Sequence, residues 1–359
     1  MAAVTKEQVL EALRRVQDPE LHKDLVTLNM IKNVVIDDGH VTVGVELTTP
    51  ACPLKDAIDK DVQREVRAIP GVRDVSVEWS AQVRGTAKPA AQLPGVKNIV
   101  AVGAGKGGVG KSTAAVLLAA GLKRAGASVG LMDADVFGPS IPKMMGLEGE
   151  RPMVRGEKIV PIESHGVRVI SMGFMVEPER AVIWRGPMVH GVVKQFLDQV
   201  DWGELDYLIV DLPPGTGDVP LTLSQSIPLT GAVVVCTPQD VALLDAVRAL
   251  RMYQQLSVDI LGMVENMSYF IAPDTGTRYD IFGHGGVEKA AARLKVPYLG
   301  AIPINIAIRA SGDDGNPFAA FEKADEKTVE AVEGFVKNVA GQISIRNVLR
   351  PAPLELKIT

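Results

Sequence analysis

Cysteine is nearly absent from this chain of 359 residues: only Cys52 and Cys236 occur. Lying far apart in sequence, they offer neither a disulfide framework nor a local CxxC metal site. Aromatic residues are scarce at 4%, and there is no excess of basic charge, the formal net charge being -5. A balance of that sign gives no broad positive field for nucleic acid or an anionic membrane surface. No apolar run approaches the roughly 20 residues of a spanning helix, and the opening Met1 to Glu7 lacks the charged-then-apolar plan of a secretory signal. The expectation is a cytoplasmic protein with neither membrane nor nucleic acid as a partner. What is present, 47% hydrophobic and 23% charged residues, is ordinary for a globular protein. The length suits one large domain with a small one, or two of medium size.

The first stretch predicts a small α+β unit. Thr5-Lys6-Glu7-Gln8 is a capping box ahead of Val9, Leu10, Leu13 and Val16 on one helical face. Two β-rich runs, Met30 to Ile36 and His40 to Leu47, flank Asp37-Asp38-Gly39, a hairpin signal. A helix over Leu54 to Arg67 and a strand over Val72 to Trp79 complete the unit. Residues 86–95, rich in Ala, Pro and Gly, read as a linker. The division expected is therefore 1–85, linker 86–95, and a second domain over 96–359. In the latter, apolar strands alternate with helical stretches: Asn98 to Val102, Ser128 to Asp133, Val167 to Ser171, Tyr207 to Asp211, Ala232 to Thr237, Ile260 to Glu265 and Tyr298 to Ile302. Continuous apolar strands between helices predict an α/β fold with a mostly parallel sheet covered on both faces. The tail from Ser344, with Pro351 and Pro353, is expected to form no long helix.

One motif carries chemistry by itself. The strand Asn98 to Val102 leads into Gly105-Lys106-Gly107-Gly108-Val109-Gly110-Lys111-Ser112-Thr113 and then a helix over Lys111 to Arg124. Strand, glycine-rich turn and helix are the context in which a P-loop binds nucleotide phosphate. Its backbone N–H groups face the phosphate oxygens, Lys111 reaches the terminal phosphates, and the Ser112 hydroxyl suits Mg2+. Asp211, ending the strand from Tyr207, sits where a carboxylate supports the magnesium shell. Gly215, in the loop Leu212 to Asp218, can turn its N–H toward a terminal phosphate. Asp133 and Asp135 end an earlier strand; acids there also serve as helix caps, and beside a P-loop the functional reading is preferred.

Several runs together resemble one family: Gly105 to Thr113, Asp133 to Ser140, Trp184-Arg185-Gly186-Pro187-Met188, Asp211 to Asp218, Glu265-Asn266-Met267-Ser268-Tyr269 and Phe282 to Gly286. The chain resembles the Mrp/ApbC-type iron-sulfur cluster carrier ATPases, which carry a deviant Walker A loop. Its first part, with Asp18-Pro19-Glu20-Leu21 and Thr48 to Pro53, resembles the SufT-type domain often fused to them. The resemblance implies ATP hydrolysis in a homodimer around ATP and Mg2+, with Lys106 touching the partner's nucleotide, Asp135 positioning the attacking water and Asn266 at the adenine. It also implies iron-sulfur client apoproteins or assembly proteins as partners. The family's cluster-binding CxxC would fall just after Ser268-Tyr269-Phe270, where this sequence has Ala272 and Thr275; neither replaces a thiolate.

Of the two cysteines, Cys236 lies in the apolar run Ala232 to Thr237 and reads as a small buried hydrophobe. Cys52, flanked by Pro50 and Pro53 at a loop-to-helix transition, is the candidate iron-sulfur ligand, since a helix N-terminus lowers a thiol's pKa. His284, without neighbouring ligands, is assigned no role, and Trp184 with Met188 suits a partner surface or packing equally. The reading is an ATP-hydrolysing iron-sulfur cluster carrier or assembly factor. Two alternatives stand beside it: a nucleotide-switched scaffold that binds no cluster itself, and a ParA/MinD-like positioning ATPase, for which no basic amphipathic C-terminal helix is found.

Overall fold

The computed structural model describes residues 4–19, 21–85, 93–175 and 186–349. Two hydrophobic cores organise it. The first is built from Val9, Leu13, Leu25, Val41, Val43, Val45, Ile58, Val62 and their neighbours. Helix α1 (Lys6–Leu13) starts at Thr5, whose hydroxyl accepts from the Gln8 N–H while the Gln8 side chain accepts from the Thr5 N–H, so the capping box is formed as expected. Strands β1 (Ile31–Asp37) and β2 (His40–Leu47) pair antiparallel around Asp38 and Gly39, and Gly39 takes the left-handed φ of +83° that the turn needs. In β2 the alternate residues Val41, Val43, Val45 and Leu47 are buried, the period-2 pattern of a sheet with one covered face. Helix α2 (Lys55–Arg67) turns Ile58, Val62 and Val66 to that face, and β3 (Asp74–Ala81) returns parallel to β2.

The second core belongs to a nine-stranded sheet. In chain order its main elements are β4 (Val96–Ala104), α3 (Lys111–Arg124), β5 (Val129–Asp133), β6 (Ile162–Ser164), β7 (Val167–Ser171), β8 (Leu205–Asp211), β9 (Gly231–Cys236), α4 (Asp240–Gln255), β10 (Ile260–Ile271), β11 (Arg278–Tyr279), α5 (Gly286–Leu294), β12 (Tyr298–Ile304) and α6 (Glu326–Leu349). The spatial order is β6-β7-β5-β8-β4-β9-β10, with β12 parallel and β11 antiparallel to β10. Only β6 and β11 run against the rest. Strands β4, β5, β8 and β9 are buried almost throughout, which is why they read as unbroken apolar runs.

Two expectations are corrected. Strand β10 runs on through Asn266 and Ser268 to Ile271, because those polar side chains bond internally and do not end the strand. The tail from Ser344 is not free of helix: α6 continues to Leu349. Prolines 351 and 353 lie beyond it, and Val332, Phe335, Val336, Val339, Ala340 and Ile343 bury a continuous helical stripe.

The two cores meet near the far end of α3. The Tyr207 hydroxyl donates to Thr49 Oγ1 at 3.0 Å, both groups being buried. Asn347 Nδ2 donates to the Arg84 carbonyl at 2.9 Å and to Asn98 Oδ1 at 2.8 Å, and Asn98 Nδ2 donates to the same carbonyl at 3.0 Å. Arg84, the last residue but one before the undescribed stretch 86–92, is thereby fixed to the first strand and last helix of the sheet domain.

Candidate functional site: a phosphate-binding loop over three buried carboxylates

Parallel strands place their carboxyl ends on one edge of the sheet, the edge at which open α/β folds bind ligands. At that edge three neighbouring strands end in register: Ser171 pairs with Asp133, and Asp133 with Asp211. Alongside them β4 delivers the chain into the glycine-rich loop. Gly108 and Gly110 take φ of +82° and +79°, and Gly110 caps the N-terminus of α3, a conformation that lets successive N–H groups face one point. Gly105 packs on α4 so closely that a Cβ there would lie 2.1 Å from the Asp245 carbonyl. Val109 is buried beneath the loop, whereas Gly107 and Gly108 are exposed.

Lys111 opens α3 and is only 6% exposed. Its Nζ donates to Asp211 Oδ1 at 2.6 Å and lies 3.2 Å from Asp135 Oδ2. Ser112 Oγ donates to Asp211 Oδ2 at 2.6 Å, and Thr113 follows on the same turn. Burial works against the Lys111 ammonium, yet the charges of Asp211 and Asp135 outweigh it and hold its pKa above the usual lysine value. Burial also raises Asp211, with Lys111 opposing. Asp133, wholly buried and beside the Asp211 charge, is pushed up to about 8. One ammonium thus faces three carboxylates and touches two of them, Asp211 and Asp135.

The other expected groups are distributed as follows. Gly215 adopts φ of +99°, and its N–H donates to the Ala104 carbonyl at 2.8 Å, so in this structure that donor is turned to the loop backbone. Asn266 Nδ2 donates to the Val109 carbonyl at 2.8 Å, tying β10 to the phosphate loop. Lys106 is half-buried and forms no ion pair among the described residues. Trp184 and Arg185 lie outside the described residues; Met188 is half exposed.

Cys52 is not brought to this site. It lines a cavity of about 230 Å³ between the two cores, with Lys55 on one side and Gly121, Arg124 and Val336 on the other. Gly121 and Arg124 are toward the opposite end of α3 from Lys111, roughly 15 and 20 Å away at 1.5 Å per residue. Cys236 is buried in β9, where its thiol is pushed up to about 12 by burial, the Lys106 charge acting the other way. Ala272 and Thr275 lie in the turn between β10 and β11. There the Ala272 N–H donates to the Thr277 carbonyl at 2.9 Å, and the Gly276 N–H to the Ala272 carbonyl at 2.8 Å. Hydrogen bonds close this turn. His284 Nδ1 accepts from Arg278 Nη2 at 2.8 Å and faces Glu265 at 3.7 Å. Glu265 itself, wholly buried, accepts from the N–H groups of Gly285 and Val287 and from Ser268, anchoring α5. Sequence reading gives Glu265 no role beyond its motif and Ser171 none, because partners 20 and 38 residues away leave no local signature.

The donor set suits Mg2+: a hydroxyl and a carboxylate, both hard oxygens, side by side next to a cationic loop built for phosphate. Fold and loop together define a P-loop NTPase. The family described as "NUBPL iron-transfer P-loop NTPase" matches residues 95–340, and that described as "Iron-sulfur cluster assembly protein" matches residues 6–79. The iron-sulfur cluster carrier protein of a Synechocystis species is 51% identical over 349 residues, 95% of this chain and 99% of that protein. Its counterpart in Deinococcus radiodurans is 53% identical over 342 residues, 95% and 96% of the respective chains. A nucleotide-binding protein of Archaeoglobus fulgidus, solved in complex with ADP, superposes with a TM-score of 0.57 at 39% identity, covering 63% of this chain and 89% of that one. The chain belongs to the iron-sulfur cluster carrier family of P-loop NTPases. No helix among the described residues is long and apolar enough to cross a membrane.

Proposed function

We propose that this protein hydrolyses ATP in a homodimer and uses the cycle in the maturation of cytoplasmic iron-sulfur proteins, its clients being apoproteins or assembly proteins. Residues 96–359 carry the ATPase, and residues 1–85 form a module docked on its α3. The observation that carries the reading is the cluster of buried Lys111, Asp135 and Asp211 with half-buried Ser112 beneath the glycine loop.

In this reading ATP enters over Gly105 to Thr113, and Lys111 exchanges its carboxylate partners for the terminal phosphates, which it holds by charge. Mg2+, when bound, neutralises phosphate charge; Ser112 and Asp211 are the residues that would hold it. Asp135, released from Lys111, orients the attacking water. Gly215 gives up its bond to Ala104 and turns its N–H to the phosphate. Asn266 keeps the loop closed and presents its carbonyl oxygen to the adenine. Lys106, which forms no ion pair among the described residues, reaches the nucleotide of the second subunit. A P-loop neighbour solved with ADP supports the nucleotide assignment.

The cargo is harder to place. Ala272 and Thr275 leave the turn after β10 without thiolates, so cluster ligation falls to Cys52, and two copies of it in a dimer supply too few thiolates for a cluster held by four. A bound cluster therefore draws on outside thiols or other ligands and is labile. The same substitution favours a second reading, a nucleotide-switched scaffold that binds no cluster itself. Anaerobic reconstitution of the full chain with iron and sulfide, followed by absorption spectra and iron counts, decides between them. A chelator-sensitive cluster lost in Cys52→Ala supports carriage; no cluster on either protein supports the scaffold. A chelator-resistant cluster in Cys52→Ala overturns the assignment to Cys52.

A further inference from the structure

Ser171 ends β7, two strands from the phosphate loop's own strand neighbour, and touches no group to which the ATPase reading gives a role. It is nonetheless wholly buried, and its hydroxyl is held between the Gly173 backbone and the Asp133 carboxylate. The Gly173 N–H donates to Ser171 Oγ at 2.9 Å, and Ser171 Oγ donates to Asp133 Oδ2 at 2.8 Å. The other oxygen of that carboxylate, Asp133 Oδ1, accepts the Asp135 backbone N–H at 3.1 Å. Beyond Asp135, the Phe137 N–H donates to Asp135 Oδ1 at 3.2 Å, leaving Oδ2 toward Lys111. The relay thus runs through one carboxylate, that of Asp133, to the backbone of the acid expected to orient water.

We propose that Ser171 is a positioning residue for ATP hydrolysis: through Asp133 it fixes the backbone of Asp135 and so the direction of that carboxylate. The proposal rests on the reading of Asp135 as the water-orienting acid. Without the Ser171 hydroxyl, the bond left to Asp133 Oδ2 among the described residues is that from the Ile141 N–H at 3.4 Å, a long bond that does not define the rotation of the carboxyl group. The acceptor of the Asp135 N–H, Asp133 Oδ1, is then free to turn away from it. Displacement of a reacting group by about 1 Å costs on the order of a hundredfold in rate, while the glycine loop, Lys111 and Ser112, which bind the nucleotide, are left in place.

The test is steady-state ATP hydrolysis by the full chain as Ser171→Ala, Ser171→Thr and Asp135→Ala, together with the Kd of a fluorescent non-hydrolysable ATP analogue. The result expected is a kcat at least about tenfold lower in Ser171→Ala, intermediate between a one-hundredfold loss and none, with KM and Kd within twofold of wild type. Ser171→Thr, which keeps the hydroxyl, regains most of the rate. If Ser171→Ala does not fold, Ser171→Cys, nearly isosteric and a weak donor, reads the same bond. An inactive Asp135→Ala beside a Ser171→Ala with full kcat overturns the role of Ser171. Parallel losses of kcat and analogue affinity in Ser171→Ala make it merely structural and overturn the proposal equally. An active Asp135→Ala refutes instead the underlying reading of Asp135.

Discussion

The first glycine of the phosphate loop, Gly105, lies against the Asp245 backbone of α4 so tightly that an added Cβ would stand 2.1 Å from both the carbonyl carbon and its oxygen. Backbone in the middle of a helix cannot yield as a flexible side chain does. Gly105→Ala is therefore expected to displace loop from helix, costing at least roughly 1–3 kcal/mol of stability and most of the ATP affinity. Chemical denaturation and analogue titration measure the two effects. Wild-type affinity in Gly105→Ala would show the loop to be more pliant than this packing allows.

Lys106 bears on assembly. Lys106 forms no ion pair among the described residues, and Lys106→Ala is expected to bind a non-hydrolysable ATP analogue within a few-fold of wild type and yet fail to dimerise with it. Light scattering during size-exclusion chromatography gives the mass. A nucleotide-dependent dimer of Lys106→Ala at wild-type concentrations would contradict the cross-subunit role.

The two thiols differ sharply in their surroundings. Burial pushes Cys236 up to about 12, so at pH 8 only about one molecule in ten thousand carries the reactive thiolate there. Alkylation of the native protein at pH 8 should give the same thiol count in wild type and Cys236→Ala. Because the folded pKa exceeds the unfolded value of about 8.5, the neutral thiol's contribution to stability is full below that pH. It is lost as pH rises from about 8.5 toward about 12. Rapid native modification of Cys236 at pH 8 would refute its burial.

The contact between the two cores is measurable too. Thr49→Val leaves the buried Tyr207 hydroxyl without its acceptor, and an unpaired buried polar group costs about 1–3 kcal/mol. Thermal unfolding of the full chain should show the loss, with the Tyr207→Phe, Thr49→Val double variant recovering part of it. Additive losses in the double variant would mean that the bond does not couple the two residues.

Much of this architecture was legible in sequence where one physical signal dominates. Helix α3 is legible over its full length, Lys111 to Arg124, because Gly110 opens it and an apolar interior fills it. The strands β5, β7 and β8 are legible to within two residues, since burial on both faces leaves mostly apolar side chains to read. The extension of β10 past Glu265 was hidden by Asn266 and Ser268, polar residues whose partners are supplied by tertiary structure. The helical run to Leu349 was hidden by prolines that act only after it. The same limit applied at the site: Lys111, Ser112 and Asp211 sit in motifs, whereas the bonds from Ser171 to Asp133 and from Gly285 and Val287 to Glu265 exist only once distant segments meet. Gly215 carried the right conformational signal, yet its N–H is turned to Ala104.

The central claim is that the buried Lys111 is the cation around which ATP is hydrolysed. The most direct test is phosphate release from ATP by the purified full chain, with Mg2+ and with a chelator, in wild type and Lys111→Ala. The account predicts turnover by the wild type that requires Mg2+ and falls at least about a hundredfold in Lys111→Ala. Turnover of the variant near that of the wild type, or wild-type turnover indifferent to the chelator, would contradict it.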